Sequence, residues 1–320
     1  MDTVFKTGLL AAVSVVAVSC ISRYNVDEYA GAIAFRQIEA ETKAIVNGTQ
    51  LPSGSSFRVW GGYGPVNNVF NGIPVTENSG VWSYGDDLRF WEFGETYSFH
   101  AVYPAEITGA GMSVSGDGTI TVTSFDCSKT GADAVDLMTA AKTGIIYNEG
   151  EKPQPVALTF RHELARLKFT VKSDNTIATI TGFKLYGVNY KGTLEWPVSE
   201  SEAASWTSPT ACTDTDTPFK SNDSFTFNTT NGWEKVIFED LMLIPDSDLT
   251  NANLYIEYHY PGETTEAGRT ATVPLKTAAS TVDNWEAGKS YSYTLTIKGA
   301  SLEIVVSVNP WEEKNTSVSW

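Results

Sequence analysis

Tyr291-Ser-Tyr-Thr-Leu-Thr-Ile-Lys298 alternates apolar and polar side chains without a break, and Leu302-Glu-Ile-Val-Val-Ser-Val308 resumes the alternation after a short Gly-Ala turn. Successive strand side chains point to opposite faces, so a period of two marks a strand with one face buried. The same signature appears upstream. Leu254, Ile256, Tyr258 and Tyr260 alternate with Tyr255, Glu257 and His259, and Tyr97, Phe99, Ala101 and Tyr103 with Ser98, His100 and Val102. Residues 57–63, 119–125, 158–161, 167–172, 179–186 and 236–244 are further strand candidates. Turn formers punctuate them: Pro52-Ser-Gly54, Ser115-Gly-Asp-Gly118, Asn148-Glu-Gly150, Pro261-Gly262 and Ala287-Gly288. Many short strands with turn signals between them predict an all-β chain of β-sandwiches.

Helical periodicity is nearly absent, and only Ala134–Lys142 and His162–Arg166 are expected to form a helical turn or two. The polar stretch Ser199–Ser224 reads as a long loop. A division near residue 165 gives an N-terminal domain over 44–165 and a C-terminal domain over 166–320.

The 320 residues suffice for two such domains, and 42% hydrophobic with 12% aromatic residues describes a folded chain. Twenty-two basic against 38 acidic residues leave a net charge of −16 and no basic cluster, which argues against nucleic acid or an anionic membrane surface as direct partner. The start of the chain is a different matter. After Lys6, Gly8-Leu-Leu-Ala-Ala-Val-Ser-Val-Val-Ala-Val18 has the length of a signal-peptide core and is shorter than the ~20 apolar residues of a membrane span. It ends at Ala17-Val-Ser-Cys20, which resembles a bacterial lipobox: residues 1–19 would be removed and Cys20 would become the acylated N-terminus. An ordinary signal peptide with an incidental cysteine is the alternative. Cys127 and Cys212 are the remaining thiols, and they read as isolated and partly buried rather than as a disulfide.

Searching for reaction chemistry yields little, so no catalytic residue, cofactor or metal is expected. His100 and His259 fall on the polar side of their strands, which places them facing solvent. Trp60-Gly-Gly-Tyr-Gly64 precedes Pro65 rather than a helix and reads as a strand end. Asp86-Asp87 and Glu239-Asp240 read as solvated turns, and Asp214-Thr-Asp216 lacks the glycine and closing glutamate of a calcium loop. Trp60, Trp82, Trp91, Trp196 and Trp206 are open to two readings, as core residues or as exposed platforms for glycans.

Several segments taken together resemble the fimbrillin family of pilus subunits. Leu158-Thr-Phe-Arg-His-Glu-Leu-Ala-Arg-Leu-Lys-Phe-Thr-Val171 is similar to the family's F-x-H-x-L-A-x-L-x-F-x-V segment between two domains. Val135-Asp-Leu-Met-Thr-Ala140 resembles its D-L-M-x-A element, and Tyr97-Ser-Phe-His-Ala-Val-Tyr-Pro104 its Y-x-F-x-A-x-Y-P strand. Trp285-Glu-Ala-Gly-Lys-Ser-Tyr-Ser-Tyr-Thr-Leu295 resembles a W-x-x-G-x-x-Y-x-Y-x-L strand, and Thr42-Lys-Ala44 stands where many members have T-R-A.

The resemblance implies two transthyretin-like β-sandwich domains in tandem, no enzyme activity, and export to the outer membrane as a lipoprotein anchored through Cys20. It further implies proteolytic removal of an N-terminal strand within 20–43, here Ala32–Phe35, and assembly by donor-strand exchange into a surface fimbrium. Lys43 is the expected processing site and Arg36 the second choice, although lysine where arginine is usual departs from the family pattern. Residues 301–320 are the expected donor, through Leu302, Ile304, Val306 and Val308; the same strand reads equally well as the last of its own domain. The partners implied are other copies or related pilus subunits, the membrane, the processing protease, and a host protein or glycan. A non-polymerising glycan-binding lipoprotein is the competing reading.

Overall fold

The computed structural model describes residues 31–38, 51–64, 67–198, 204–263, 268–276, 282–298 and the backbone of 301–310. Among these the chain is nearly all β, with two three-residue 3-10 turns at Gly131–Asp133 and Leu249–Asn251.

The first strands are β1 (Phe35–Ile38), β2 (Ser56–Tyr63), β3 (Phe70–Asn78), β4 (Val81–Ser83) and β5 (Thr96–Tyr103). Then come β6 (Gly111–Val114), β7 (Ile120–Asp126), β8 (Met138–Ile146), β9 (Val156–Thr159) and β10 (Arg161–His162). Next are β11 (Ala165–Ser173), β12 (Ala178–Tyr186), β13 (Asn189–Trp196), β14 (Ser205–Ala211) and β15 (Lys220–Ser221). The last are β16 (Phe225–Phe227), β17 (Glu234–Leu243), β18 (Asn253–His259), β19 (Arg269–Pro274), β20 (Lys289–Lys298) and β21 (Ser301–Pro310).

One sheet runs β10-β8-β5-β2-β3-β4, and a parallel pair joins β1 to β9. The later strands form β17-β11-β20-β21 and β15-β12-β18-β19, with β16 also on β12. The remaining sheet, β14-β13-β7-β6, draws strands from both sides of residue 165.

Buried side chains collect into two cores. One contains Ile33, Phe35, Phe57, Val59, Phe70, Trp82, Trp91, Tyr97, Phe99 and Phe160. The larger one holds the inner faces of β11, β12, β13, β17, β18 and β20 together with Val114, Ile120, Val122 and Phe125 from β6 and β7. In β20 the buried residues are Tyr291, Tyr293, Leu295 and Ile297, and in β18 they are Leu254, Ile256 and Tyr258, as their alternation requires.

Strand β5 departs from that pattern. His100 is 2% exposed and Val102 fully buried, so the expectation that His100 faces solvent is wrong. The reason is a second layer: Trp60, paired with His100, and Val102 belong to the larger core, whose β6–β7 turn covers this face of the sheet. Gly118 in that turn lies so close that a Cβ there would stand 2.9 Å from the imidazole Cε1. His259, by contrast, remains partly exposed.

Two further expectations fail for local reasons. The segments read as helical turns are β8 and the β10–β11 pair, because an isolated turn of helix is marginal whereas each segment finds a ready ladder, on β5 and on β17 and β20. Within the stretch read as a loop, β14 pairs with β13. An edge strand whose side chains mostly face water needs no apolar alternation; Trp206 and Thr207 are its half-buried residues, and the Trp206 indole N–H donates to the Glu163 carbonyl at 3.2 Å.

Cys127 and Cys212 are both buried and free. Their amides bond to β13 and the residue before it from opposite sides, Cys127 to the Tyr190 carbonyl and Cys212 to the Val188 carbonyl. Two strand spacings of ~4.8 Å put them about 10 Å apart, beyond the ~7 Å a disulfide spans.

Candidate functional site

The N-terminal core is closed by the segment Gly31–Ile38. The structure sets its regular strand at Phe35–Ile38, three residues later than the sequence suggests, with Ala32 forming an isolated bridge to Phe90. Main-chain bonds hold the segment on both sides. Ile33 N–H donates to the Arg89 carbonyl at 2.7 Å, Trp91 N–H to the Gly31 carbonyl at 3.2 Å, and Val156 N–H to the Ala34 carbonyl at 2.7 Å. Parallel pairing with β9 then runs from Phe35 opposite Val156 to Ile38 opposite Thr159. The Tyr84 hydroxyl donates to the Ile33 carbonyl at 2.7 Å.

Ile33 and Phe35, at 1% and 2% exposure, are the segment's anchors. The Phe35 ring meets Phe70, Phe99, Tyr84 and Phe57 edge-on at 5.3, 5.6, 6.2 and 6.3 Å, arrangements that suit the aromatic quadrupole. Beneath this one strand therefore lies an apolar floor between two main-chain walls, Arg89–Trp91 and Val156–Thr159. Emptied, it would be a groove shaped for an extended peptide with apolar side chains at alternate positions. Sequence reading identified the strand but not the Arg89–Trp91 wall, which lies in an irregular segment without alternation.

Among the expected site residues, Arg36 lies within β1, exposed but paired opposite Ala157. Cys20 and Lys43 lie outside the described residues. Leu302, Ile304, Val306 and Val308 occupy β21, the edge strand of its sheet, antiparallel to β20 and opposite Ile297, Leu295, Tyr293 and Tyr291. Among the described strands, β21 is hydrogen-bonded to β20 alone.

A buried polar cluster sits where β8 meets the link into β11. Asp136 Oδ1 and His162 Nδ1 are 2.9 Å apart, both buried. Glu163, 1% exposed, accepts hydrogen bonds from Thr139 and from Arg161 Nε, the latter at 2.7 Å. Burial pushes the Glu163 carboxyl up from the ordinary range, opposed chiefly by the Arg161 charge. Arg161 in turn stacks 3.8 Å over the Trp196 ring. These contacts are buried fastenings within the fold.

Trp60, Trp82, Trp91 and Trp196 are at most 9% exposed and offer no free ring face, while Trp206 is partly buried. Among the described residues no group of three or more His, Cys, Asp or Glu could hold a metal ion, and no helix is long and apolar enough to cross a membrane.

Fold and groove define an all-β chain whose N-terminal core is completed by a strand from the extreme start of the described residues. The fimbrillin-like family profile matches residues 42–311, and the chain belongs to that family. A crystal structure of a candidate cell adhesion protein from Bacteroides uniformis is 18% identical, with a TM-score of 0.57, covering 88% of this chain and 99% of that one. A fimbrial protein from Bacteroides vulgatus is 19% identical with a TM-score of 0.55, over 88% of this chain and 99% of its own. At these identities the likeness concerns the fold. No curated protein matches the chain at a significant level.

Proposed function

We propose that this chain is a structural subunit of a cell-surface pilus, exported as a lipoprotein on Cys20 and assembled by exchange of strands between copies. The observation that carries the reading is the seal itself: Gly31–Ile38 covers an apolar floor with two buried side chains and bonds on both edges. Membership of the fimbrillin-like family and likeness to a fimbrial fold support it.

Cleavage after Lys43 takes away the whole segment together with the lipid, so release from the membrane and opening of the groove are one event. Cleavage after Arg36 requires a protease to reach a residue paired with β9, which leaves it the second choice. The open groove, with unpaired edges and an apolar floor, is unstable in water and accepts a strand from another copy. β21 is the donor in this reading. Four side chains such as Leu302, Ile304, Val306 and Val308 are worth about 1.5–3 kcal/mol each when buried, an upper bound of roughly 6–12 kcal/mol per junction. The chain acts by assembly at the cell surface rather than by catalysis.

Limited trypsin digestion of the purified precursor, with mass spectrometry and electron microscopy of the products, tests the assembly. Cleavage after Lys43 followed by filaments is expected; cleavage that leaves only stable monomers refutes it. Fatty-acid labelling tests the anchor, which requires that Cys20→Ala abolish the label.

A further inference from the structure

A hollow of about 400 Å³ opens between β16 and the start of β17, lined by residues 224–227, 231–232 and 234–235. The hairpin that joins these strands feeds two different sheets. β16 lies on β12, with Phe225 opposite Ile180 and Phe227 opposite Ala178, whereas β17 lies on β11, with Lys235 opposite Val171. Opposite residues on paired strands share a face, and Ile180, Ala178 and Val171 are fully buried. Phe225, Phe227 and Lys235 therefore all stand on inner faces, at the gap left where the two strands part. Phe227, 2% exposed, closes the floor of the gap. Phe225 is half-buried, its ring edge-on to Phe227 at 5.2 Å. Lys235 reaches across the opening until its ammonium stands 6.0 Å from the centre of the Phe225 ring.

The charges and hydrogen bonds around the hollow are unevenly satisfied. Glu234 and Lys235 are its only charged lining residues. Glu234 is paired with Lys172 at 2.9 Å, while Lys235 forms no ion pair among the described residues. The rim is fixed by its own backbone. Asn228 and Gly232 exchange main-chain bonds at 3.3 and 2.9 Å, and Asn228 Oδ1 accepts from the Thr230 and Asn231 amides at 2.8 Å each. Asn231 Nδ2 donates to the Thr226 carbonyl at 3.0 Å, which leaves the Asn231 side-chain oxygen as an acceptor on a rigid rim.

We propose that this hollow binds a pyranose bearing a carboxylate. The C–H face of the sugar lies on Phe225, its carboxylate meets the Lys235 ammonium, and its hydroxyls bond to Asn231 Oδ1 and Ser224. An aromatic ring with polar groups around it suits a ligand that is apolar on one face and polar at its edge. Other ligands fit less well. With Phe227 closing the floor there is no depth for an alkyl chain, and a single unpaired ammonium matches one carboxylate better than the higher charge of a phosphate. The net charge of −16 repels an anion only from afar, because at physiological salt charges beyond about 8 Å are largely screened.

The test is calorimetric titration, with saturation-transfer NMR, of a chain beginning at residue 21, which carries every described residue. D-Glucuronic acid and N-acetylneuraminic acid are the probes, and D-glucose and acetate the controls. Saturable binding of at least one acid is expected, with a Kd on the order of 1 mM. Glucose and acetate should each bind at least tenfold more weakly. Lys235→Met should erase the preference for the acid over glucose, and Phe225→Ser should weaken the acid at least tenfold; melting temperatures confirm that both variants fold. Binding of glucuronic acid alone points to acidic polysaccharide as the source, and of N-acetylneuraminic acid alone to sialylated glycan. No saturable binding of either acid, acetate binding as tightly as the sugars, or a Lys235→Met variant that keeps its preference would each overturn the proposal. The hollow belongs to the larger core and not to the groove under Gly31–Ile38, so its failure leaves strand exchange untouched.

Discussion

Removing residues 1–38 takes from the N-terminal core two fully buried anchors and the bonds that hold them. Ile33 and Phe35 are worth about 1.5–3 kcal/mol each by burial. The three bonds to Arg89, Trp91 and Val156 add about 1 kcal/mol apiece. The loss is therefore roughly 6–9 kcal/mol, comparable with the ~5–15 kcal/mol that holds a whole domain folded. A chain starting at residue 39 should have an opened N-terminal core and an intact larger one, which has no contribution from the lost segment. Thermal unfolding by near-ultraviolet circular dichroism should split into two transitions, and the truncated chain should bind the dye ANS where the full chain does not. A synthetic peptide of residues 31–38, added in excess, should restore the single-transition melt and abolish dye binding, and Phe35→Ala in that peptide should weaken the rescue. If the truncated chain melts within about 2 °C of the full one, where each kcal/mol is worth roughly 2–4 °C, the segment does not seal the core and the argument fails.

His100 is held neutral by burial, its pKa lowered from 6.5 to about 4. The unfolded chain takes up a proton below about pH 6.5 that the fold refuses until about pH 4. Its stabilising contribution is thus complete above 6.5 and declines as pH falls, by about 3 kcal/mol once both values are passed. Urea midpoints at neutral pH and near pH 4 should differ by less in His100→Leu than in the wild type, and an equal difference would refute this. Burial also pushes the Cys127 thiol far up, and Cys212 is equally enclosed. Both should therefore resist the thiol reagent DTNB in the native state and react together in denaturant; rapid native labelling of either would refute the packing described.

The period-two alternation in residues 291–298 and 254–260 was enough to determine strand, face and buried side chains, because those sheets bury one face and wet the other. Family membership was legible in the segments around 97–104, 135–140, 158–171 and 285–295, whose order and spacing resemble the family's motifs. Tertiary structure alone decided the rest. His100 looked solvated because its strand alternates, and it is buried because β6 and β7, distant in sequence, cover it. β14 looked like a loop because an edge strand needs a partner's backbone and not its own apolar pattern. The groove is the clearest case. Ala32–Phe35 could be suspected as a strand, but its value depends on a floor of Phe57, Phe70, Tyr84 and Phe99 and on walls at Arg89–Trp91 and Val156–Thr159, brought together from up to about 120 residues of chain. Local sequence dictates which face a side chain takes; what covers that face is settled only when strands remote in sequence arrive.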